Sequence, residues 1–264
     1  MDASLAVPTL SRSASSTPMR VVAGDYEVRL AATEEQVRAA QELRYAVFCA
    51  ELGEGLAGAH RIGRDEDRFD AQFDHLLLVD RESESVVGTY RIQTAAMAHS
   101  GAGFYCDGEF VLGDLPSSIL ADAVELGRAC IAKHHRRGIA LLALWRGLAA
   151  YLQHRQKRYL FGCCSLTGTD ARTAVVAARW LRDQGHEDPT LRARVRPGFD
   201  LPADEPSVAE LGAFRLPQLF STYLRHGAKV CGGPALDREF GTTDFLIVLD
   251  VAGLSLRQRT LFFA

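Results

Sequence analysis

Alternating and continuous apolar runs along the chain predict strands separated by helices. Alternation is clear at Tyr26–Ala31, whereas the later runs are continuous and are typical of strands buried on both faces. The predicted strands are Tyr26–Ala31, His75–Asp80, Val86–Ala95, Ala123–Ile131, Tyr159–Leu166 and Thr242–Val251, and Phe104–Leu112 is interpreted as a further short strand pair.

Apolar residues at helical spacing lie between these strands. The first helix begins after Thr33, which can accept a hydrogen bond as N-cap, and Gln36 three residues later completes a capping box. Further helices are predicted over residues 140–156, 170–185 and 216–227, and residues 189–206 have a loop-like composition. Strands that alternate with helices, together with one hairpin over residues 75–95, predict an α/β fold with a mixed central sheet.

The first predicted helix carries a charge on its apolar stripe. Arg44 lies four residues from both Ala40 and Phe48, which belong to that stripe. A guanidinium that faces a core requires an anionic partner. We therefore expect Arg44 either to meet a partner in the core or to reach the surface as a snorkelling arginine.

Composition limits the possible classes of protein. The net charge is −3, from 30 Lys and Arg against 33 Asp and Glu, which does not favour nucleic-acid binding. Residues 1–24 are rich in Ser, Ala, Thr and Pro and are interpreted as a tail, with a single domain over residues 25–264. The chain has no apolar run of about 18 residues and no secretory signal, so a cytoplasmic location is expected.

Cysteines and acidic residues give no convincing nucleophile or metal site. The six cysteines form no C-x-x-C pair and are predicted to be reduced core thiols, including Cys163 and Cys164 at the end of a strand. The stretch "DEDRFD" (residues 65–70) lacks the glycine and the distal glutamate of a calcium loop. We predict no metal site.

Five consecutive basic or imidazole side chains, Lys133–Arg137, precede a predicted helix that begins near Gly138. The first N–H groups of a helix attract phosphate, and a glycine permits close approach of a ligand. The motif is neither a dinucleotide fingerprint nor a Walker A loop. The segment is suited to a pyrophosphate or a phosphopantetheine bound by Arg136, Arg137, Gly138, Ile139 and Ala140, and we take it as the candidate donor-binding segment, with a solvated basic turn as the alternative.

The strand before this turn contains two charges, Glu125 and Arg128, with Gly127 between them. In a regular strand the two charged side chains point to opposite faces. A glycine inside a strand often marks a bulge, which would turn both charges to one face and expose backbone N–H groups. We expect Glu125 and Arg128 to pair there.

Several motifs, in a specific order, resemble a known superfamily. "LRYAVFCAELG", "DEDRFD", "VVGTYRI" and "ELGRACI" resemble acyl-homoserine-lactone synthases and their relatives among the GNAT N-acyltransferases. The chain is more similar to the L-ornithine Nα-acyltransferases of ornithine-lipid synthesis, through "FDHLLLVD", "LWRGLA", "LFGC" and "LRHGAKVCGGPALDREFGTTDFLIVLD". The resemblance covers roughly residues 26–251.

The resemblance implies a splayed GNAT sheet with an acyl donor between Val124–Ile131 and Tyr159–Leu166. The implied donor is an acyl-[acyl-carrier protein], held through its phosphopantetheine arm, with no permanently bound cofactor. The resemblance also implies that a set of charged residues lines the acceptor cleft and forms its supporting ion pairs: Arg44, Asp67, Asp70, Arg91, Glu125 and Arg128.

The implied reaction is transfer of a 3-hydroxyacyl group to the α-amine of ornithine. We expect Glu125 to accept a proton from the amine, directly or through water, and a backbone N–H near Gly127 to hold the oxyanion. No acyl-enzyme is expected, and the apolar product suggests transient contact with the inner membrane surface. A different acceptor (glycine, glutamine or a homoserine-lactone precursor) and a non-catalytic carrier-protein or lipid-binding module remain alternatives.

Overall fold

A computed structural model of the protein describes residues 19–136, 138–201 and 207–263. It contains eight strands, β1 Arg20–Ala23, β2 Tyr26–Leu30, β3 Asp74–Asp80, β4 Val86–Thr94, β5 Ala123–Ile131, β6 Tyr159–Thr167, β7 Lys229–Asp237 and β8 Thr242–Asp250. The α-helices in these residues are α1 Glu34–Arg44, α2 Ala59–Ile62, α3 Ala95–Ser100, α4 Ser117–Ala121, α5 Gly138–Arg155, α6 Ala171–Asp183, α7 Val208–Ala213, α8 Gln218–Arg225 and α9 Leu256–Phe263.

The strands form one mixed sheet, in the order β1-β2-β3-β4-β5-β6-β8-β7. The pair β5–β6 is parallel and the other neighbouring pairs are antiparallel. The long α5 makes the crossover that joins these two parallel strands. The predicted α/β class and the mixed sheet are confirmed.

The parallel strands β5 and β6 separate part-way along their length. They pair only over Ala123–Leu126 and Tyr159–Gly162. A side chain at residue 162 would collide with the Leu126 carbonyl oxygen. The last paired position of β6 therefore requires glycine. Beyond it the facing edges of the two strands have no strand partner, which opens the middle of the sheet.

A bulge in β5 lies beside this opening. Thr89 of β4 pairs with Cys130, but Arg91 pairs with Gly127, so β5 contains one residue more than β4 between these two pairs. The predicted bulge is therefore present. The residue with left-handed backbone is Arg128 (φ 50°) rather than Gly127, and this conformation costs a non-glycine residue about 1 kcal/mol or more.

The main core lies on one face of the sheet, beneath α5, α6, α8 and α9. It includes Trp145 of α5, whose ring lies 5.0 Å from that of Tyr223 and 5.1 Å from that of Phe262, centroid to centroid. The opposite face is covered by α1 and by the loops that follow β4 and α6. No helix in the described ranges is long and apolar enough to cross a membrane.

Most predicted elements agree with the structure, with several differences. Thr33 caps α1 as predicted, but the Gln36 side chain accepts from the backbone of Ala32 rather than of Thr33. Residues 104–112 contain 3₁₀ turns instead of a strand pair, β7 and α9 were not predicted, and a π-helical segment at Tyr45–Glu51 extends α1. The predicted tail was too long, because Arg20–Ala23 pairs with β2; residues 1–18 lie outside the described ranges.

Candidate active site

A cavity of about 320 Å³ passes through the opening between β5 and β6. Leu126 to Ala129 of β5 and Leu160 to Ser165 of β6 form its two sides. Because neighbouring side chains on a strand point to opposite faces, these segments contribute residues from both faces of the sheet. The cavity therefore connects the two faces, and its two ends differ in chemistry.

The end beneath the helices is apolar. It is lined by core residues of β6, α8 and β8, including Leu160, Phe220, Ile247 and Leu249. The polar group described there is a buried tyrosine pair, in which the Tyr223 hydroxyl donates to that of Tyr90 at 2.9 Å. This end has the character of a channel for an alkyl chain.

The opposite end is polar. Glu54, Tyr105, Arg128, Thr242 and Asp244 line it. The aromatic ring of Phe240, also in the wall, lies 4.1 Å from the guanidinium carbon of Arg128. Charged groups and aromatic rings at one end of an otherwise apolar cavity are suited to a small polar molecule.

Three arginines and three aspartates form a buried ion-pair network beside this polar end. Arg44 contacts Asp65 and Asp70, each at 2.8 Å. Arg91 contacts Asp67 at 2.6 Å and Asp70 at 3.1 Å. Arg128 joins the network through Asp65 at 3.1 Å and Asp67 at 3.4 Å, and we call these six residues the arginine-aspartate network.

The network balances its own charges through ion pairs, although Arg44 Nη1, Arg91 Nε and Nη2, and Asp65 Oδ1 have no hydrogen-bond partner in the described structure. Burial alone would raise the pKa of Asp70, but the guanidinium groups of Arg44 and Arg91 hold it well below its usual range. The expected partner for Arg44 is thus confirmed. Four predicted site residues of the network are not part of the cavity wall: Arg44, Asp67, Asp70 and Arg91. Arg128 is the residue of the network that lines the wall. The predicted direct contact of those four residues with an acceptor is not favoured by this geometry.

Glu125 is buried and fully engaged by neutral donors. It accepts hydrogen bonds from the Gln93 side chain at 2.6 Å and from the backbone N–H groups of Tyr105 at 3.1 Å and Cys106 at 2.7 Å. Burial raises its pKa, and these hydrogen bonds oppose the shift. The expected pair with Arg128 is wrong, because the bulge turns Arg128 toward Asp65 and Asp67. The hydrogen bonds from Tyr105 and Cys106 to Glu125 hold in place the segment from which Tyr105 lines the cavity.

The predicted donor-binding segment lies at the start of α5. Gly138 and Ile139 are exposed and a side chain at residue 138 would meet nothing, whereas Ala140 is buried in the core. The Arg136 guanidinium binds both oxygens of Glu51, at 2.7 and 2.8 Å, and these hydrogen bonds lower the pKa of that carboxyl. Arg136 is therefore already paired, and Arg137 lies outside the described residues.

The structure also brings together four carboxyl groups that the sequence did not single out. Glu54, Glu109, Asp237 and Asp244 are each 9% exposed or less, and Glu54 and Asp244 line the cavity. Within the described ranges these four form no ion pair, so we call them the unpaired acidic cluster. One signal was available, since Asp244 interrupts the apolar run of the last predicted strand.

Comparisons with known proteins agree with this geometry. Residues 43–146 match the acetyltransferase (GNAT) domain. The structure is similar to that of FeeM, an N-acyl amino acid synthase from uncultured soil microbes, with a TM-score of 0.53 and 11% identity over 92% of this chain and 98% of that one. The fold, with its parallel strands parted around a cavity, is that of a GNAT acyltransferase.

Similarity at the level of sequence is more specific. The chain is 36% identical to the L-ornithine N(alpha)-acyltransferase of Rhodobacter capsulatus, over 90% of this chain and 94% of that protein. It is 33% identical to the protein of the same name from Brucella abortus, over 89% and 87% of the two chains. The chain belongs to the L-ornithine Nα-acyltransferase family.

Proposed function

We propose that this protein transfers a fatty acyl group, most simply a 3-hydroxyacyl group, from a phosphopantetheine thioester to the α-amine of ornithine. The observation that carries the proposal is the single cavity through the β5–β6 opening, apolar at one end and acidic at the other. An acyl chain suits the first end and a cationic amino acid the second. The names of the curated relatives support ornithine as the acceptor.

The donor arm suits the free edge of β5. Beyond Leu126 this edge lacks a partner from β6, and Gly127 to Ala129 line the cavity. A pantetheine arm contains two amide groups, which can hydrogen-bond to such an edge as an added strand would. The arm's phosphate would then lie near the exposed start of α5 at Gly138 and Ile139, where helix N–H groups favour an anion.

The chemistry is direct aminolysis. The α-nitrogen attacks the thioester carbonyl carbon, the C–S bond breaks, the thiolate leaves and takes up a proton, and the amide remains. Backbone N–H groups at the bulge would hold the oxyanion of the tetrahedral intermediate. The hydrogen bond with Cys106, together with burial, raises the pKa of the cavity thiol Cys163 well above its usual range, and burial raises the pKa of Cys130 to about 12. Both shifts disfavour an acyl-cysteine.

The ammonium of the acceptor must lose a proton before the attack. Glu125 does not line the cavity, and it remains our proposed proton acceptor only through a bridging water, because it lies in β5, whose free edge would hold the thioester. Its hydrogen bonds to the Tyr105–Cys106 backbone give it a second role in shaping the cavity. A test must therefore separate base catalysis from loop positioning.

We further propose which molecule carries the acyl group to the enzyme and where the acylated product is released. An acyl carrier protein is acidic, so exposed Lys133 and His134 beside α5 favour it over CoA as the donor.

The apolar product suggests brief contact with a membrane surface, and Leu256 of α9, which is 82% exposed, offers an apolar side chain for that contact. Vesicle sedimentation tests this contact, and a protein that stays wholly in the supernatant would exclude it.

Purified protein should be incubated with a 3-hydroxyacyl-[acyl carrier protein], or with the matching acyl-CoA, and with one amino acid at a time. We expect thiol release and an acyl-amino acid with ornithine, and faster turnover with the carrier protein. If product forms only with glycine, glutamine or a homoserine-lactone precursor, that compound and not ornithine is the acceptor. Carrier binding without transfer to any amine would indicate a non-catalytic module.

A further inference from the structure

The unpaired acidic cluster contains two carboxyl groups that lie close together. Atoms of Glu109, Asp244 and Cys163 lie within 4.8 Å of one another, and burial together with the negative charge of Asp244 raises the pKa of Glu109. Glu109 is 4% exposed and Asp244 3% exposed. Such a pair is costly in a protein interior unless a proton or another cation neutralises part of its charge.

Both members have an oxygen atom that is left without a partner. Glu109 Oε2 and Asp244 Oδ1 are buried and accept no hydrogen bond in the described structure. Each is a strong acceptor, and the great majority of buried acceptors are satisfied. The Asp244 side chain also lines the cavity, so these unused acceptors stand at the polar end of the proposed substrate site.

The surrounding protein offers the pair little positive charge. Arg128 is the cation that lowers the pKa of Glu109, but its guanidinium is committed to Asp65, Asp67 and the Tyr105 hydroxyl. Asp237 adds negative charge nearby, since it raises the pKa of both Glu109 and Asp244, and the pKa of Glu54 is itself raised by burial and by Asp244. The balance of charge here calls for a cation from outside the chain.

We propose that Glu109 and Asp244 bind the side-chain ammonium of the acceptor amino acid, while its α-amine faces the thioester. This inference rests on the proposed function and assigns the part of the site that selects a diamino acid. An ammonium has three N–H donors, which match the two unpartnered oxygens and leave one for a neighbouring hydroxyl, such as that of Thr242. Tyr105 and Phe240 supply apolar wall for the methylene groups.

A primary ammonium fits this cluster better than a metal ion does. Cys163, the third side chain of the group, contacts Cys106 Sγ at 3.5 Å, and its pKa is raised well above the usual range. A neutral thiol is a poor metal ligand, because metals bind the thiolate. Two carboxyl groups that share a proton carry about one negative charge together, which one ammonium balances.

The test compares ornithine with norvaline, which has the same carbon skeleton without the side-chain ammonium. The variants are Asp244→Asn and Glu109→Gln, each of which keeps shape and removes one carboxyl group from the pair, with Asp183→Asn, an exposed residue of α6, as the matched control. For wild type and control we expect kcat/KM to favour ornithine strongly. In Asp244→Asn the preference should fall roughly 10–100-fold, through the loss of a charge-assisted hydrogen bond, with little change for norvaline. In Glu109→Gln, where Asp244 keeps the single negative charge of the pair, the preference should fall less.

A second readout does not depend on acyl transfer. Ornithine alone should raise the melting temperature of wild type and of Asp183→Asn, and norvaline should not. Loss of the ornithine effect in a folded Asp244→Asn protein supports the assignment. An unchanged ornithine preference in both cluster variants would overturn it, as would stabilisation of wild type by Zn²⁺ or Ca²⁺ in place of ornithine.

The proposed function fails separately from this inference. If wild type acylates no amino acid with any donor, the reaction assignment is wrong, whatever the cluster binds. If wild type acylates ornithine and the cluster variants keep its selectivity, the reaction stands and the ammonium site lies elsewhere.

Discussion

Two groups of buried carboxylates lie on either side of Arg128, and they differ in what surrounds them. In the arginine-aspartate network three aspartates meet three guanidinium groups at distances from 2.6 to 3.4 Å. In the unpaired acidic cluster, Glu109 and Asp244 lie close to each other and form no ion pair within the described residues. Both groups retain buried polar atoms without a hydrogen-bond partner. Most of the carboxylates in the two groups are buried, whereas Asp67 of the network is half-buried.

The difference indicates which group is open to a ligand. A network that neutralises itself holds its loop and strands in place, and a ligand would have to break ion pairs to enter it. A cluster that lacks a counter-ion gains from a cation that arrives with the substrate. Acidic residues at a site are therefore informative only together with the partners that the fold gives them.

The largest expected effect concerns the arginine-aspartate network. Asp70→Asn leaves Arg44 and Arg91 short of a counter-charge in the interior, and we expect a loss of about 3–5 kcal/mol in the free energy of unfolding. Denaturant titration at neutral pH measures it. Asp250→Asn is the control, because its pair with Arg158 is exposed and worth only about 0–1 kcal/mol. A folded Asp70→Asn protein with normal stability and a specific defect in ornithine use would reverse our assignment of the two groups.

A substitution at Glu125 tests the role of a buried carboxylate whose hydrogen bonds come from neutral donors. Glu125→Gln keeps the shape, but its amide group cannot accept from Gln93, Tyr105 and Cys106 together, so we expect a loss of about 1–3 kcal/mol in stability. If Glu125 is also the base, kcat should fall about 10²–10⁴-fold and recover in part at higher pH, where more free amine exists. A reduced kcat with an unchanged pH profile would leave Glu125 as a positioning residue.

The pH dependence of stability should distinguish Glu109 from the network. Burial raises the pKa of Glu109 from an ordinary 4.5 to about 10, so in this range the folded protein keeps a proton that the unfolded chain releases. The unfolded state then binds fewer protons, and the free energy of unfolding falls as the pH rises from about 4.5 toward 10. Glu109→Gln, which cannot ionise, should therefore gain stability over wild type at pH 8 and lose this advantage near pH 5. Parallel melting curves for both proteins across this range would contradict the raised pKa.

The smallest effect is expected at the exposed pair near α5. Glu51→Gln frees the Arg136 guanidinium and should change stability by about 1 kcal/mol or less. If Arg136 binds the donor phosphate, this variant should lower the KM for an acyl carrier protein slightly. Charge reversal at Arg136 and Arg137 should raise that KM, and the rise should fade at high salt. A KM that does not respond to either change would leave the basic turn outside the donor site.

Local patterns were sufficient to predict most of the fold. Apolar runs identified the central strands, and the Thr33 cap and the glycines after helices marked boundaries. The bulge in β5 was predicted from Gly127, although the backbone places it at Arg128. The segment at residues 104–112 was mispredicted as strands because its apolar residues pack against the sheet from a 3₁₀ turn that Glu125 anchors.

The candidate site was harder to predict, because it depends on which charges meet. "DEDRFD" shows three aspartates in six residues, and only the fold reveals that three distant arginines neutralise them. Glu109 and Asp244 are 135 residues apart, 244 minus 109, in two separate predicted strand segments. No local pattern joins them. A single carboxylate inside a predicted buried strand, such as that of Asp244, nevertheless indicates that the carboxylate requires a partner for its charge.

The regiochemistry of the product tests the central claim most directly. Ornithine labelled with ¹⁵N at the side-chain nitrogen should be acylated with a 3-hydroxyacyl carrier-protein donor and the product analysed by NMR. If the unpaired acidic cluster holds the side-chain ammonium, wild type should place the acyl group only on the α-nitrogen. The Glu109→Gln, Asp244→Asn double variant should give less product and a measurable share acylated on the labelled nitrogen. Acylation of the labelled nitrogen by wild type, or an unchanged yield and position in the double variant, would contradict the account.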